Sequence, residues 1–117
     1  MDYNNANDGV RLFAKSAIAG AVVINSGALV ALLSQVSELR LAVSIDSLHC
    51  AIMLWASGIT LGTSAWVAAF LAASAHANDL RRLEIVAGVV GVAVTICSIA
   101  AFLLGAVRVA DGLLPVA

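Results

Sequence analysis

Charged residues divide this chain into blocks. None occurs from Ser16 to Ser37, from Ser47 to Asn78, or from Ile85 to Val107, and Ala, Val, Leu, Ile and Gly dominate each of these runs. A helix needs roughly 20 predominantly apolar residues to cross a ~30 Å hydrocarbon core, and every run is long enough. A soluble bundle would require a polar stripe along each helix, which none of the three offers. The pattern predicts an all-α integral membrane three-helix bundle, a single transmembrane domain over residues 1–117 with spans at 18–36, 48–75 and 85–107. The middle run exceeds what a span requires, so it is expected to tilt or protrude.

The flanks complete the outline. Val10, Phe13, Ala14 and Ala17 fall on one side of a helix and Arg11 and Lys15 on the other. This predicts an amphipathic N-terminal helix over residues 8–17, capped by Asp8 and lying at the membrane interface. The connection SELRLAVSID, residues 37–46, is expected at the membrane surface. HANDLRRLE, residues 76–84, reads as a short turn in which Asn78 or Asp79 caps the third span, and Arg108, Asp111, Gly112 and Pro115 end that span.

Composition agrees with the pattern: 62% of the 117 residues are apolar and 11% charged, against about a quarter charged in soluble domains. The net charge of −1 provides no basic footprint for nucleic acid. A polar start and a long first apolar run speak against a cleavable signal peptide. Arg11, Lys15, Arg81 and Arg82 fall on one side of the membrane, and Arg40 and Arg108 on the other. This bias predicts a cytoplasmic amino terminus and an external carboxyl terminus. The same four cations are placed to meet anionic lipid headgroups.

Faces of the predicted helices carry the next signal. Ser16, Gly20, Gly27, Ala31 and Ser34 share a stripe on the first span. Gly58, Gly62, Ala65, Ala69 and Ala72 share one on the second, where GITLG is a literal GxxxG; Trp55 and Trp66 line up beside it. The third carries Ala87, Gly91, Ser98, Gly105 and Gly112. Small residues let backbones approach closely, and close approach drives association where no hydrophobic effect separates helix from lipid. Asn25, the one strongly polar side chain near the middle of a span, lies opposite Gly20 and Gly27. Its amide needs partners in hydrocarbon, so the first helix is expected to bury two faces, which a second copy or another subunit would supply readily. Ser57, Thr60 and Ser64 form a separate sector suited to lining a pore.

Several chemistries are missing. No carboxylate or lysine lies inside a span, which removes the proton-relay residues of pumps, and no nucleophile has a base at helical reach. His49 and His76 sit at opposite ends of the second span, too far apart to share a metal, and no metal site is expected. His49 could serve as axial ligand to a haem or chlorin. Cys50 and Cys97 read as small buried packing residues at different depths, out of reach of a disulfide.

The first-span segment AKSAIAGAVVINSGALVALLSQV resembles a group of small bacterial inner-membrane proteins of unassigned function whose first span runs like LVLINGGAAVALLAF. Their second span is like FAGGLALALLA, compared with LWASGITLGTSAWVAAFLAAS, and their third like SFVAFVIGI, compared with CSIAAFLLGAV. The likeness covers about residues 10 to 112, with Asn25 and Gly27 in INSGALVALL as its most specific element. Ser26 stands where the group has a second glycine, and the group's aromatic second-span end is absent. The resemblance implies three spans preceded by an amphipathic helix, in a bacterial inner membrane, and carries over no catalytic residue.

The expected function is therefore non-enzymatic: an accessory or scaffold subunit that assembles with itself or with other membrane subunits. The seams would run through Gly20, Asn25, Gly27, Gly58, Gly62, Gly91, Ser98 and Gly105. One alternative is a homo-oligomeric pore or membrane-perturbing effector, with Ser57, Thr60, Ser64 and Asn25 around an aqueous path. Another is a haem- or pigment-binding anchor using His49.

Overall fold

The structure is a computed structural model that describes the backbone of residues 3–114 and the side chains of residues 8–114. It is all-helical: α1 (Tyr3–Ser34), α2 (Val36–Ala42), α3 (Ile45–Ala77) and α4 (Arg81–Asp111). Three helices, with spans in Asp8–Ser34, Ile45–Ala77 and Arg81–Asp111, are long and apolar enough to cross a membrane. The chain is a multi-pass membrane protein. The molecule measures 63 × 26 × 20 Å. At 1.5 Å per residue α3 alone runs to about 50 Å, so its ends stand beyond the hydrocarbon.

Two local expectations change. Residues 8–17 are helical and continue without a break into the first span, and Asp8 lies inside that helix rather than at its cap. A single helix runs from Tyr3 into the first span, because no glycine–proline break or capping geometry interrupts it. The first connection also folds: Val36–Ala42 is a two-turn helix with Glu38 in its first turn and Arg40 in its last, both favourable to its dipole.

Helices α3 and α4 form an antiparallel hairpin in contact along its length. The turn between them differs from expectation in which residue caps which helix. Asn78 and Asp79 terminate α3 rather than start α4. Leu80 N–H donates to Ala75 O (2.9 Å) and Asp79 N–H to His76 O (3.3 Å), the pair of bonds that defines a Schellman ending. Asp79 takes the left-handed position at φ 56°, a role aspartate fills better than most non-glycine residues. Across the turn His76 Nδ1 meets Glu84 Oε1 at 3.0 Å.

At the opposite end, Ser44 caps α3 by accepting from Ser47 N–H at 3.3 Å. The end of α4 is stitched to the first connection. Ser44 N–H donates to Gly112 O (2.9 Å) and Leu114 N–H to Ala42 O (2.8 Å), forming a Val43–Leu113 bridge. Gly112 is required here, since a side chain would overlap Ser47. Beneath this stitch lies the apolar core of Leu32, Val43, Leu48, Ala51 and Trp55.

Helix α1 packs on the hairpin only from Ile18 onward, burying Ile18, Ala21, Asn25 and Leu32. Residues 10–17 are exposed. The bundle has three tiers in consequence: bulky side chains at the α2 end, a small-residue waist holding Asn25, and an alanine–glycine contact between α3 and α4 where α1 has parted from them.

Candidate functional site

The waist is the most constrained part of the molecule, and it is built on Asn25. That side chain is 0% exposed. Its Nδ2 donates to Ala21 O (2.8 Å) on its own helix and to Ser98 O (3.0 Å) and Ser98 Oγ (3.2 Å) on α4. Ser98 Oγ in turn donates to Gly58 O on α3 at 2.7 Å. Three helices are thereby joined by one chain of hydrogen bonds. The carbonyls involved use their second lone pair, so no helical bond is broken. In hydrocarbon such a lock is the alternative to stranded polar groups.

Gly58 makes the lock possible. A Cβ at this position would overlap the Asn25 carboxamide, lying only 2.8 Å from Nδ2. The nearest atom to it is Asn25 Oδ1, which is buried without a hydrogen-bond partner. The Gly58 Cα–H that replaces a side chain points at this oxygen, a weak contact of ~0.5–1 kcal/mol. Gly62 serves the next turn: its Cβ would stand 2.7 Å from Val22 Cγ2 and 3.3 Å from Ser98 Oγ. On α4, Gly105 lies under the Trp55 indole, whose N–H donates to Phe102 O at 3.1 Å. Gly91 faces Ala68, whose Cβ would lie 3.4 Å from a Cβ added at Gly91, so an alanine would fit there with little adjustment.

Of the residues expected on the seams of the second and third spans, Gly58, Gly62, Gly91, Ser98 and Gly105 each face another helix of the same chain. Three details differ. Ala69 is exposed and Ala72 half-buried, while Ala68 and Ala75 are buried instead. The seam turns toward α4 once α1 has left the hairpin. Trp66 is exposed, away from buried Trp55. Cys97 is exposed and Cys50 half-buried, so neither is the fully enclosed packing residue that was expected.

Gly20 and Gly27 have no partner within the described chain. Neither meets anything within 4 Å of a built Cβ, and Ser16, Gly20, Gly27, Ala31 and Ser34 are all exposed. Only the Asn25 face of α1 is buried inside the molecule, and its partners come from the same chain. One helix in a three-helix bundle can turn only one side to two neighbours.

Ser57, Thr60 and Ser64 also face outward, on the far side of α3 from Asn25. They and Asn25 do not surround one path. Each hydroxyl donates to a carbonyl one turn back: Met53 O (2.7 Å), Ala56 O (3.1 Å) and Thr60 O (2.8 Å) respectively. His49 is exposed near the start of α3. Among the described residues no group of three His, Cys, Asp or Glu side chains is placed to hold a metal. Arg11, Lys15, Arg81 and Arg82 are exposed at the end of the bundle that carries the α3–α4 turn. Ser98 as the partner of Asn25, and Trp55 as a donor across the hairpin, were not anticipated. Equal depth in neighbouring spans was the only signal available for the first pair.

No family model matches the chain, and neither a curated protein nor a solved structure does.

Proposed function

We propose that this chain is a non-enzymatic accessory or scaffold subunit that assembles, with copies of itself or within a larger membrane complex, in a bacterial inner membrane with its amino terminus in the cytoplasm. One observation supports this reading above the others. The small-residue stripes of α3 and α4 are used up inside the bundle, whereas that of α1 is left facing outward with open space over Gly20 and Gly27. Bare backbone presented to lipid is the surface on which transmembrane helices associate most closely. The interior, with its network of hydrogen bonds, and the absence of Asp, Glu, Lys and Arg from residues 16–37, 47–78 and 85–107 support a rigid building block rather than a conduit.

Native mass after mild detergent extraction tests the proposal. Gly20→Leu with Gly27→Leu should lower the assembled mass while leaving the monomer's thermal unfolding unchanged, since neither site touches the bundle. An unchanged assembled mass, or a wild-type chain that is monomeric and alone, refutes it.

A second reading, an oligomeric pore, draws on the outward sector of Ser57, Thr60 and Ser64 on α3. Copies arranged with α3 innermost would turn these hydroxyls to an aqueous path. Silence of the purified protein in planar bilayers at high density counts against it.

A further inference from the structure

A groove of 490 Å³ opens on the flank of the bundle at its α2 end, within the ~300–1,000 Å³ range of small-molecule sites. Its walls are Ala28, Ala31 and Leu32 of α1, Trp55 of α3 and Val109 of α4, and α2 adds Leu39 and Ala42. Almost all of this lining is apolar. Polar groups enter only at the α2 end, where Gln35 and Glu38 contribute to the wall, and Glu38 is the one ionisable residue among the lining residues.

We propose that this groove seats one acyl chain of a glycerophospholipid whose headgroup carries a primary ammonium, held beside Glu38. Three features select this occupant. The groove lies along apolar span residues, so its surroundings are hydrocarbon. Helix α2 contributes to the lining at one end, and a transmembrane partner helix, about 10 Å across, would collide with it on passing through. A single acyl chain, which begins at headgroup level and runs inward, meets no such obstacle. At the level where the headgroup sits, the lining offers a carboxylate and a side-chain amide and no cation, which complements an ammonium and repels an anionic headgroup. Arg40 lies on α2 outside the lining. The groove shares Ala31 with the outward stripe that supports assembly, but Glu38 and Trp55 take no part in that stripe, so a Glu38-dependent lipid preference and the assembled mass are read independently.

Trp55 lines the groove, and the chain holds only one other tryptophan. Trp66→Phe therefore leaves a single fluorophore in the wall. This variant is placed in phosphatidylcholine vesicles containing equal fractions of a lipid brominated on its acyl chains, either phosphatidylethanolamine or phosphatidylglycerol. The brominated ethanolamine lipid should occupy the groove about two- to five-fold in preference to the glycerol lipid, the range of an exposed ion pair. Glu38→Gln, on an exposed surface helix, should remove the preference without changing the fold. Ala31→Phe, which fills the groove from an exposed position, should reduce quenching by both lipids. Equal quenching by the two lipids overturns the proposal. So does a preference that survives Glu38→Gln, or a groove that no lipid reaches because a protein helix occupies it.

Discussion

Replacing Gly58 by alanine adds one methyl group where three helices meet. Its Cβ would overlap Oδ1 and Cγ of Asn25 and stand 2.8 Å from Nδ2. Either the carboxamide must leave or α1 must move off α3. If the carboxamide leaves, its bonds to Ser98 at 3.0 and 3.2 Å go with it. Interhelical hydrogen bonds in membranes average about 0.6 kcal/mol and reach about 1.7, and overpacking costs about 1–3 kcal/mol. Alanine's better helix propensity returns up to about 1 kcal/mol. The net expectation is a loss of about 1–3 kcal/mol, read from reversible unfolding in mixed micelles. Gly27→Ala is the control: its methyl meets nothing within 4 Å and should leave stability unchanged or slightly raised. A double-mutant cycle supplies the decisive measurement. In an Asn25→Ala background the obstructing carboxamide is gone, so Gly58→Ala should become nearly harmless, with a coupling of about 1–2 kcal/mol. Should Gly58→Ala cost the same with and without Asn25, the lock as described is refuted.

Two further outcomes follow from the same geometry. Trp55→Phe removes the donor to Phe102 O and should destabilise the hairpin by about 0.5–1.5 kcal/mol. Gly105→Ala, which drives a methyl into the rigid indole, should cost more, about 1–3 kcal/mol, and the same unfolding titration ranks the two. Replacing Ser57, Thr60 and Ser64 together by alanine should shift monomer stability by no more than about 0.5 kcal/mol, because each hydroxyl only returns to its own helix. A large loss in that triple variant would mean that the outward sector of α3 is packed against protein.

The membrane spans were legible because a membrane imposes its rule on composition. With no water to bond to, each crossing segment must be long, apolar and free of unpaired charge, and the charge-free runs of this chain record that requirement residue by residue. The seams on α3 and α4 were legible for a related reason, since Gly58, Gly62, Ser98 and Gly105 recur at helical spacing. Chain ends and connections were read less well. Asn78 and Asp79 are good residues at either end of a helix, and only the φ of 56° at Asp79 shows which end they serve. Helix α2 was hidden because its seven residues, under two full turns, are too short a run to display a period.

Stripes on isolated helices do not reveal their partners. The spacing of Gly20 and Gly27 resembles that of Gly58 and Gly62 closely enough that sequence assigned both to seams. Asn25 then drew α1 inward by its opposite face, and the glycines were left outside. A carboxamide stranded in hydrocarbon is more unfavourable than an unpacked glycine, so the polar side chain decided which way α1 turned. Its partner Ser98 lies 73 residues away along the chain, and the Gly58 carbonyl that accepts from Ser98 lies 40 residues from that serine. Sequence by itself determined that this chain crosses a membrane as three helices and which residues allow their backbones to approach. Tertiary structure alone decided which small face is spent within the molecule and which remains, because that choice depends on how the polar groups of three separate helices satisfy one another at a common depth.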